Sequence, residues 1–251
     1  MLKHAIVSDE NDIANSFNEF FTSVADKLKE KIYKNKDNNF KKYLGNGCNK
    51  TFFIHPTTNQ EVIDVINKLN GNKASGPHSI THKILMLIYQ TFSIILSKLI
   101  NLSFENGIYF ERLKISQVIP IYKNSDDPLD MNNYRPISLL SNINKIVEKI
   151  MHTRLSSFLE KQNNIYIKQY GFRKNHSTIH ALINLTEHVK QALDNNEFAC
   201  GIFIDLKKAF DTVSHSILLK KLHHYGIRGI SNAWFESYLT NRTQLVSLNN
   251  V

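Results

Sequence analysis

The segment FIDLKKAFDTVSH, residues 203–215, places two carboxylates beside a short apolar run. Asp205 directly follows the run, and Asp211 comes six positions later. A carboxylate at the end of a buried strand is a good ligand for Mg²⁺, because this ion prefers fixed oxygen donors in octahedral geometry. The alternative is that Asp205 only caps the turn after a core strand. The pattern therefore indicates a candidate metal ligand at Asp205.

A site for two-metal phosphoryl transfer needs more than one carboxylate, because a single Asp does not neutralise two divalent ions. Asp211 is the obvious second candidate, but it follows Phe210 beyond the predicted strand end. We expect Asp211 to begin the next helical turn, as an N-cap or in a local ion pair. The partner of Asp205 is therefore not identified by this segment.

The composition favours an acidic partner. The 251 residues carry a net charge of +9, which favours nucleic acid or a membrane surface as the partner, although a Lys/Asn-rich bias can also spread charge over the surface without function.

The two cysteines, Cys48 and Cys200, are too far apart for a disulfide framework and too few for a zinc cluster. With no apolar signal core at the start, the chain is expected to be intracellular, in the nucleus or cytoplasm.

Apolar residues at helical spacing predict most of the elements. Helices are expected over residues 11–32, 59–70, 142–161, 177–193, 215–226 and 231–242. Asn142 or Asn144 is the expected N-cap of the third, and Ser177 that of the fourth. The apolar stretch Ile84–Leu96 is too short for a membrane span and is expected to be a buried helix ending near Gly107.

Short apolar or alternating runs bounded by turn residues predict strands over 116–124, 198–204 and 243–251. Residues 124–136, rich in Asn, Asp and Pro, are expected to form a loop. The Lys/Asn-rich stretch 34–50 is expected to be a linker. Many helices with few strands predict an α+β fold.

Four motifs in a fixed order resemble the reverse transcriptase of non-LTR retrotransposons, the LINE-type elements. They are NKASGPHSI, IPIYKNSDDPLDMNNYRPISLLSNINKIVEKIMHTRL, QYGFRKNHSTIHAL and FIDLKKAFDTVSH. The earlier stretch NDIANSFNEFFTSVADKL is similar to the segment before the polymerase core of these elements. The resemblance implies a helical pre-polymerase segment with its linker over 1–50. Residues 51–251 would be a partial reverse transcriptase domain, a helix-rich right-hand polymerase fragment with fingers and the first part of the palm.

The resemblance also implies roles around the incoming nucleotide. Asp205 matches the first metal-binding aspartate of the palm, and Leu206 the position whose backbone carbonyl also touches metal. Phe210 matches the bulky gate that excludes a 2′-hydroxyl. Arg135 matches a fingers arginine on the triphosphate, and Lys123 a basic residue near the same phosphates. The planar fork of Arg135 suits phosphate, and Pro136 restrains it to extended backbone.

On the template side, the resemblance implies contacts along the strand from Gln169, Gly171, Phe172 and Arg173. The residues alone leave alternatives open: Arg173 could pair with a nearby acid, Lys123 could be a solvated strand end, and Phe210 could belong to the core. His176 and His180 have the i,i+4 spacing of a metal pair. With no Cys or carboxylate set beside them, a structural or template-facing role is favoured.

Two departures from the family pattern affect these expectations. The family usually has Asp-Gly after Ser-Gly-Pro, where this chain has His78-Ser79, and this weakens any role for Lys73 in that loop. The family also continues beyond Val251 into a Gly-Gln-Gly loop, an Asp-Asp hairpin and a thumb. The chain is therefore expected to lack these parts and to be inactive as a polymerase on its own.

The implied partners are an RNA template, a DNA primer, deoxynucleoside triphosphates and Mg²⁺, with no membrane. A non-catalytic RNA- or DNA-binding fragment is the first alternative, and the basic charge is compatible with it. A non-functional relic of a retroelement is the second. In that case the predicted strand Phe198–Ile204 would remain an unpaired apolar edge.

Overall fold

The computed structural model describes residues 8–31, 39–71, 76, 80–124, 127–206 and 208–248. In these ranges seven α-helices and three β-strands confirm the predicted α+β fold. The elements are α1 Glu10–Lys31, α2 Asn59–Lys68, α3 His82–Asn106, β1 Ile115–Tyr122, β2 Tyr134–Leu139, α4 Asn142–Lys161, α5 Thr178–Asp194, α6 His215–His224, α7 Ile230–Leu239 and β3 Thr243–Val246. Residues Asn39–Tyr43, inside the predicted linker, form a 3-10 helix.

The helix ends follow local capping chemistry. Thr58, Thr81, Ser141 and Ser214 each accept a hydrogen bond from a backbone N–H in the first turn of the following helix. The prediction of Asn142 or Asn144 as a cap is therefore wrong, because both lie inside α4 and Ser141 caps it. Ser177 does stand at the N-cap position of α5, but its hydroxyl makes no cap hydrogen bond. Gly107, with φ +66°, ends α3 in the left-handed conformation as predicted.

The sheet has the strand order β2-β1-β3, with β1 antiparallel to β2 and parallel to β3. β1 confirms the predicted strand at 116–124, and β3 confirms the first four residues of the strand predicted over 243–251. The prediction is wrong for residues 247 and 248, and residues 249–251 lie outside the described residues. The expectation of a loop up to residue 136 is wrong, since β2 begins at Tyr134. Pro136 is tolerated because β2 is an edge strand. Every second backbone N–H of an edge strand points away from the sheet and needs no partner, so a proline can stand there.

The predicted strand over 198–204 is not present. These residues are irregular, and Phe198, Phe203 and Ile204 are more than four-fifths exposed. An apolar run becomes a buried strand only when a neighbouring strand supplies its hydrogen bonds. Within the described residues, the sheet consists of β1, β2 and β3, and none of them pairs with this segment.

The core lies between α2, α3, α4 and α7. Each of these helices turns one apolar face inward; the buried side chains include Val62, Ile66, Leu85, Ile100, Ile146, Ile150 and Trp234. The indole of Trp234 stacks on Tyr238 and donates to Ser103 Oγ at 3.0 Å. Tyr109 in turn donates to Asn144 Oδ1, and Tyr238 donates to Glu148 at 2.7 Å. This polar network satisfies groups that burial would otherwise leave unpaired.

Helix α3 ends where the sequence indicated but is less buried than expected. Within the described part of the chain it is the one helix whose length and composition would allow it to cross a membrane. A core helix of a protein outside membranes passes the same test, and seven α3 residues are buried against the rest of the fold. The expectation of a buried helix is correct for one face only, because Leu87 is 83% exposed and Leu102 54%.

Candidate functional site

The segment between α4 and α5 carries the predicted template residues and is held by Arg173. Its guanidinium donates from Nε and Nη2 to the two carboxylate oxygens of Glu160, at 2.9 and 3.0 Å. Nη1 also donates to the backbone carbonyls of Tyr166 and Ile167. The hydrogen bonds from Arg173 hold the pKa of Glu160 below its usual range and raise the pKa of Arg173. Arg173 therefore does pair with a nearby acid, and it fixes the loop to the end of α4.

The loop fixed in this way presents Phe172 to solvent. The side-chain amide of Gln169 donates to the carbonyl of Gly171 at 3.2 Å, and its backbone N–H donates to the carbonyl of Tyr166. Phe172 has φ +57° and its side chain is 94% exposed. A bulky residue in this backbone conformation costs about 1–3 kcal/mol and persists only where its surroundings over-determine it. The four hydrogen bonds of Arg173 supply that constraint.

Phe172 meets Phe210 across the surface. Their ring centroids are 5.9 Å apart and the planes cross at 89°, an edge-to-face contact between two exposed rings. Phe210 is 78% exposed, so the alternative that it belongs to the core is not what the structure shows. This contact joins the Gln169–Arg173 loop to the turn that follows Asp205.

The turn after Asp205 is short and does not begin a helix at Asp211. The backbone N–H groups of Asp211 and Thr212 donate to the carbonyl of Lys208, which has φ +51°. Ser214, not Asp211, caps α6, so the expected N-cap role of Asp211 is wrong. The ammonium of Lys208 lies 4.9 Å from the ring centroid of Phe20, which ties the turn to α1.

Asp205 and Leu206 lie in the irregular exposed segment before this turn, and Leu206 is 69% exposed. The carboxylate of Asp205 is accessible, and carboxylate oxygens are the donors that Mg²⁺ prefers. Within the described residues, no group of three or more His, Cys, Asp or Glu side chains is arranged to hold a metal ion. His176 and His180, with ring centroids 6.3 Å apart, contact a backbone carbonyl and the hydroxyl of Ser177 instead.

Arg135 and Lys123 both lie on the β1–β2 hairpin. Arg135 is exposed on β2 opposite Ile121, in the extended conformation expected before a proline. Lys123 donates from Nζ to the carbonyl of Asn132 at 2.6 Å, and its backbone N–H donates to Asn133. Lys123 is therefore an exposed residue at the end of β1, as the alternative had it, and its hydrogen bonds also close the hairpin. Lys73, His78 and Ser79, of the loop that departs from the family, lie outside the described residues.

Helix α1 connects the hairpin to the Asp205 turn. Phe17 packs edge-on against Tyr134, the neighbour of Arg135, with ring centroids 4.9 Å apart. One turn later, Phe20 lies beneath Lys208. The apolar face of α1 was visible in the sequence, but its partners were not. The role of Glu160 in fixing Arg173 was missed as well, because nothing in the local pattern around residue 160 indicates that pairing.

Residues 121–250 match the sequence profile of the family described as reverse transcriptase (RNA-dependent DNA polymerase). The chain belongs to the reverse transcriptase family. The matched range includes Lys123, Arg135, the Gln169–Arg173 loop, Asp205 and Phe210.

Curated relatives agree with this membership. The chain is 28% identical over 203 residues to a probable RNA-directed DNA polymerase from transposon BS of Drosophila melanogaster, covering 78% of this chain and 22% of that protein. It is 31% identical over 179 residues to the RNA-directed DNA polymerase from mobile element jockey of the same species, covering 71% and 20%. The resemblance to LINE-type reverse transcriptases is thereby confirmed. The chain spans about a fifth of the length of these relatives.

Proposed function

We propose that this chain is the part of an RNA-directed DNA polymerase that holds the template strand beside the incoming nucleotide. The residues involved are the Gln169–Arg173 loop, the turn from Asp205 to Phe210 and the β1–β2 hairpin. In the right-hand description of polymerases, they correspond to the fingers and the first part of the palm. The contact between Phe172 and Phe210 carries this proposal. It joins the motif assigned to the template to the motif assigned to the nucleotide, although they lie far apart in the sequence.

The side chains suit these tasks chemically. An exposed aromatic ring such as Phe172 can stack an unpaired base, whatever its identity. Arg173 is a positioning residue, because its guanidinium is occupied by Glu160 and holds the loop. Phe210 would pack near the sugar of the incoming deoxynucleotide. Arg135 offers an exposed fork for triphosphate oxygens, and Lys123 adds positive charge from the same hairpin.

Mg²⁺ would be held by Asp205, with the Leu206 carbonyl nearby, and would supply neutralisation of charge on the triphosphate. Mg²⁺ often binds through one or two protein carboxylates together with substrate phosphates and waters, so the single exposed carboxylate fits a metal that arrives with the nucleotide. Two-metal transfer needs further carboxylates. We therefore expect the 251-residue chain by itself to bind template–primer without extending it.

Binding and extension can be tested separately with the purified chain and a labelled RNA template annealed to a DNA primer. The expected result is salt-dependent binding, no primer extension with Mg²⁺ and deoxynucleotides, and binding that Asp205→Ala leaves unchanged. Phe172→Ala should weaken binding by about 1–3 kcal/mol, the value of one stacked base. Mg²⁺-dependent extension that Asp205→Ala abolishes would refute the expected inactivity, and a chain with no affinity for nucleic acid would refute the function.

A second function, non-catalytic nucleic-acid binding, is favoured by the net charge of +9 together with the exposed Phe172. Both functions predict weaker binding in Phe172→Ala, so the distinction is made by primer extension in a chain extended by further polymerase sequence. A polymerase would extend the primer and lose this activity on Asp205→Ala, whereas a non-catalytic binder would show no extension. Arg173→Ala is a poor probe for this distinction, because it also removes the four hydrogen bonds that hold the loop. Either function implies action inside the cell, in the nucleus or cytoplasm, where template RNA is present.

A further inference from the structure

A concave surface lies along the C-terminal half of α4, with an open volume of about 570 Å³. We call it the α4 groove, and its open walls are formed by Lys50, Phe53, His55, Thr153, Ser157 and Lys161. Phe52 and Phe158 form its floor, with ring centroids 5.3 Å apart. None of the residues assigned above to template, nucleotide or metal lines this groove.

The groove carries an excess of positive charge. Arg154 also lines it, but its guanidinium lies 2.6 Å from Glu61, so these two charges cancel. Lys50 and Lys161 are exposed, and within the described part of the chain neither ammonium group has an ion-pair or hydrogen-bond partner. Two uncompensated cations on the walls of one concavity attract an anionic ligand.

Phe53 lines the same groove as these two cations and is 71% exposed, whereas its neighbour Phe52 is buried. The backbone on both sides of Phe53 is fixed. The N–H of Phe52 donates to the Gly226 carbonyl at 2.9 Å, and Ser231 Oγ donates to the Phe52 carbonyl. On the other side, Arg154 Nε donates to the His55 carbonyl at 3.0 Å. A ring held on a fixed backbone loses little further freedom when a flat ligand stacks on it.

We propose that the α4 groove binds a single-stranded stretch of nucleic acid, with its phosphates at Lys50 and Lys161 and a base stacked on Phe53. Cations that flank an exposed aromatic ring are the combination by which proteins bind single strands without reading their sequence. A single strand is required because the faces of paired bases are covered by their neighbours in a duplex. The inference rests on the proposed function only for the class of ligand, and it adds a contact separate from the Phe172–Phe210 surface.

The test is the binding of a fluorescent oligouridylate to the full chain, followed by anisotropy over a salt series. Lys50→Ala combined with Lys161→Ala should reduce the slope of log K against log salt by about 1.4, or about 0.7 for each lost phosphate contact. Phe53→Ala should weaken binding by about fivefold to 150-fold, the equivalent of one stacked base. Matched controls are Lys83→Ala with Lys98→Ala, two exposed lysines of α3, and Phe198→Ala, another exposed phenylalanine. Unfolding followed by the fluorescence of buried Trp234 shows that each variant is folded.

The outcomes separate this inference from the proposed function. If the groove variants bind like the controls while Phe172→Ala weakens binding, the groove is refuted and the proposed function stands. If a duplex binds as tightly as the single strand and Phe53→Ala has no effect, the groove is only a positively charged patch and the inference is wrong. If the wild-type chain shows no salt-dependent binding at all, both are refuted.

Discussion

Replacing Arg154 with alanine is expected to destabilise the chain, because this side chain holds the segment before α2 against α4. The guanidinium of Arg154 donates to both carboxylate oxygens of Glu61, at 2.6 and 2.8 Å. It also donates to the carbonyls of His55 and Pro56, at 3.0 and 3.1 Å. Arg154→Ala removes all of these bonds and leaves Glu61 without its cation.

The size of the loss follows from the burial of the pair. Breaking a buried ion pair by removing one partner costs about 3–5 kcal/mol. The side chain of Arg154 is only 10% exposed, but that of Glu61 is 32% exposed, so water can rehydrate part of the carboxylate. We therefore expect a loss of about 2–4 kcal/mol in the free energy of unfolding. For a domain of this size, that loss lowers the Tm by about 4–16 °C.

Urea unfolding followed by Trp234 fluorescence measures this loss, since Trp234 is the only tryptophan and is 1% exposed. Arg154→Lys should give an intermediate loss, because an ammonium cannot replace a fork that binds a carboxylate and two carbonyls. Lys149→Ala, at an exposed position of the same helix, should stay within about 0.5 kcal/mol of the wild type. A loss below about 0.5 kcal/mol for Arg154→Ala would refute the assignment of Arg154 as the residue that holds this segment.

Three further predictions concern the loops and the core. Gly226→Ala should cost more than about 1 kcal/mol in urea unfolding, because φ is +101° and a Cβ would lie 2.4 Å from the Lys50 carbonyl; an unchanged midpoint would contradict this. Trp234→Ala should cost about 3–5 kcal/mol by thermal circular dichroism, whereas Ile230→Ala, at a position 58% exposed, should be near neutral; equal losses would be the contrary result. Arg173 depresses the pKa of Glu160 in the folded chain. The stability that this pair adds to the loop is therefore fully present above the pKa of Glu160 in the unfolded chain, about 4.3, and is lost as the pH falls through the lower pKa of the folded chain. Amide exchange at Phe172, corrected for intrinsic rates, should become faster at low pH in the wild type but not in Glu160→Gln, and a pH-independent protection factor in the wild type would disprove the link.

The helices were predictable from the sequence because each depends mainly on its own periodicity and caps. The spacing of Val62, Ile66 and their neighbours selects one apolar face, whatever that face packs against. The extent of burial was not predictable in the same way. The apolar residues of α3 surround the helix, and the positions of neighbouring helices, α2 and α7 foremost, decide which of them are covered.

Strands depend on partners, so they were predicted less well. The apolar run 198–204 has strand-like composition but no pairing strand within the described residues, whereas β2 begins inside the segment predicted as a loop because β1 lies beside it. The site shows the same limit. Phe172 and Phe210 were each chosen by resemblance, but their contact, and the hold of Glu160 on Arg173, join residues whose proximity exists only in the folded chain.

In the proposed function, Phe172 and Phe210 form one surface that faces the template and the incoming nucleotide. Photo-crosslinking tests it most directly, with benzoylphenylalanine placed at either position and a labelled RNA template annealed to a DNA primer. Both positions are expected to crosslink to nucleic acid, whereas the same group at Leu87, an exposed position of α3, is not. No crosslinking at either phenylalanine, or crosslinking at Leu87 as strong as at both of them, would contradict this surface.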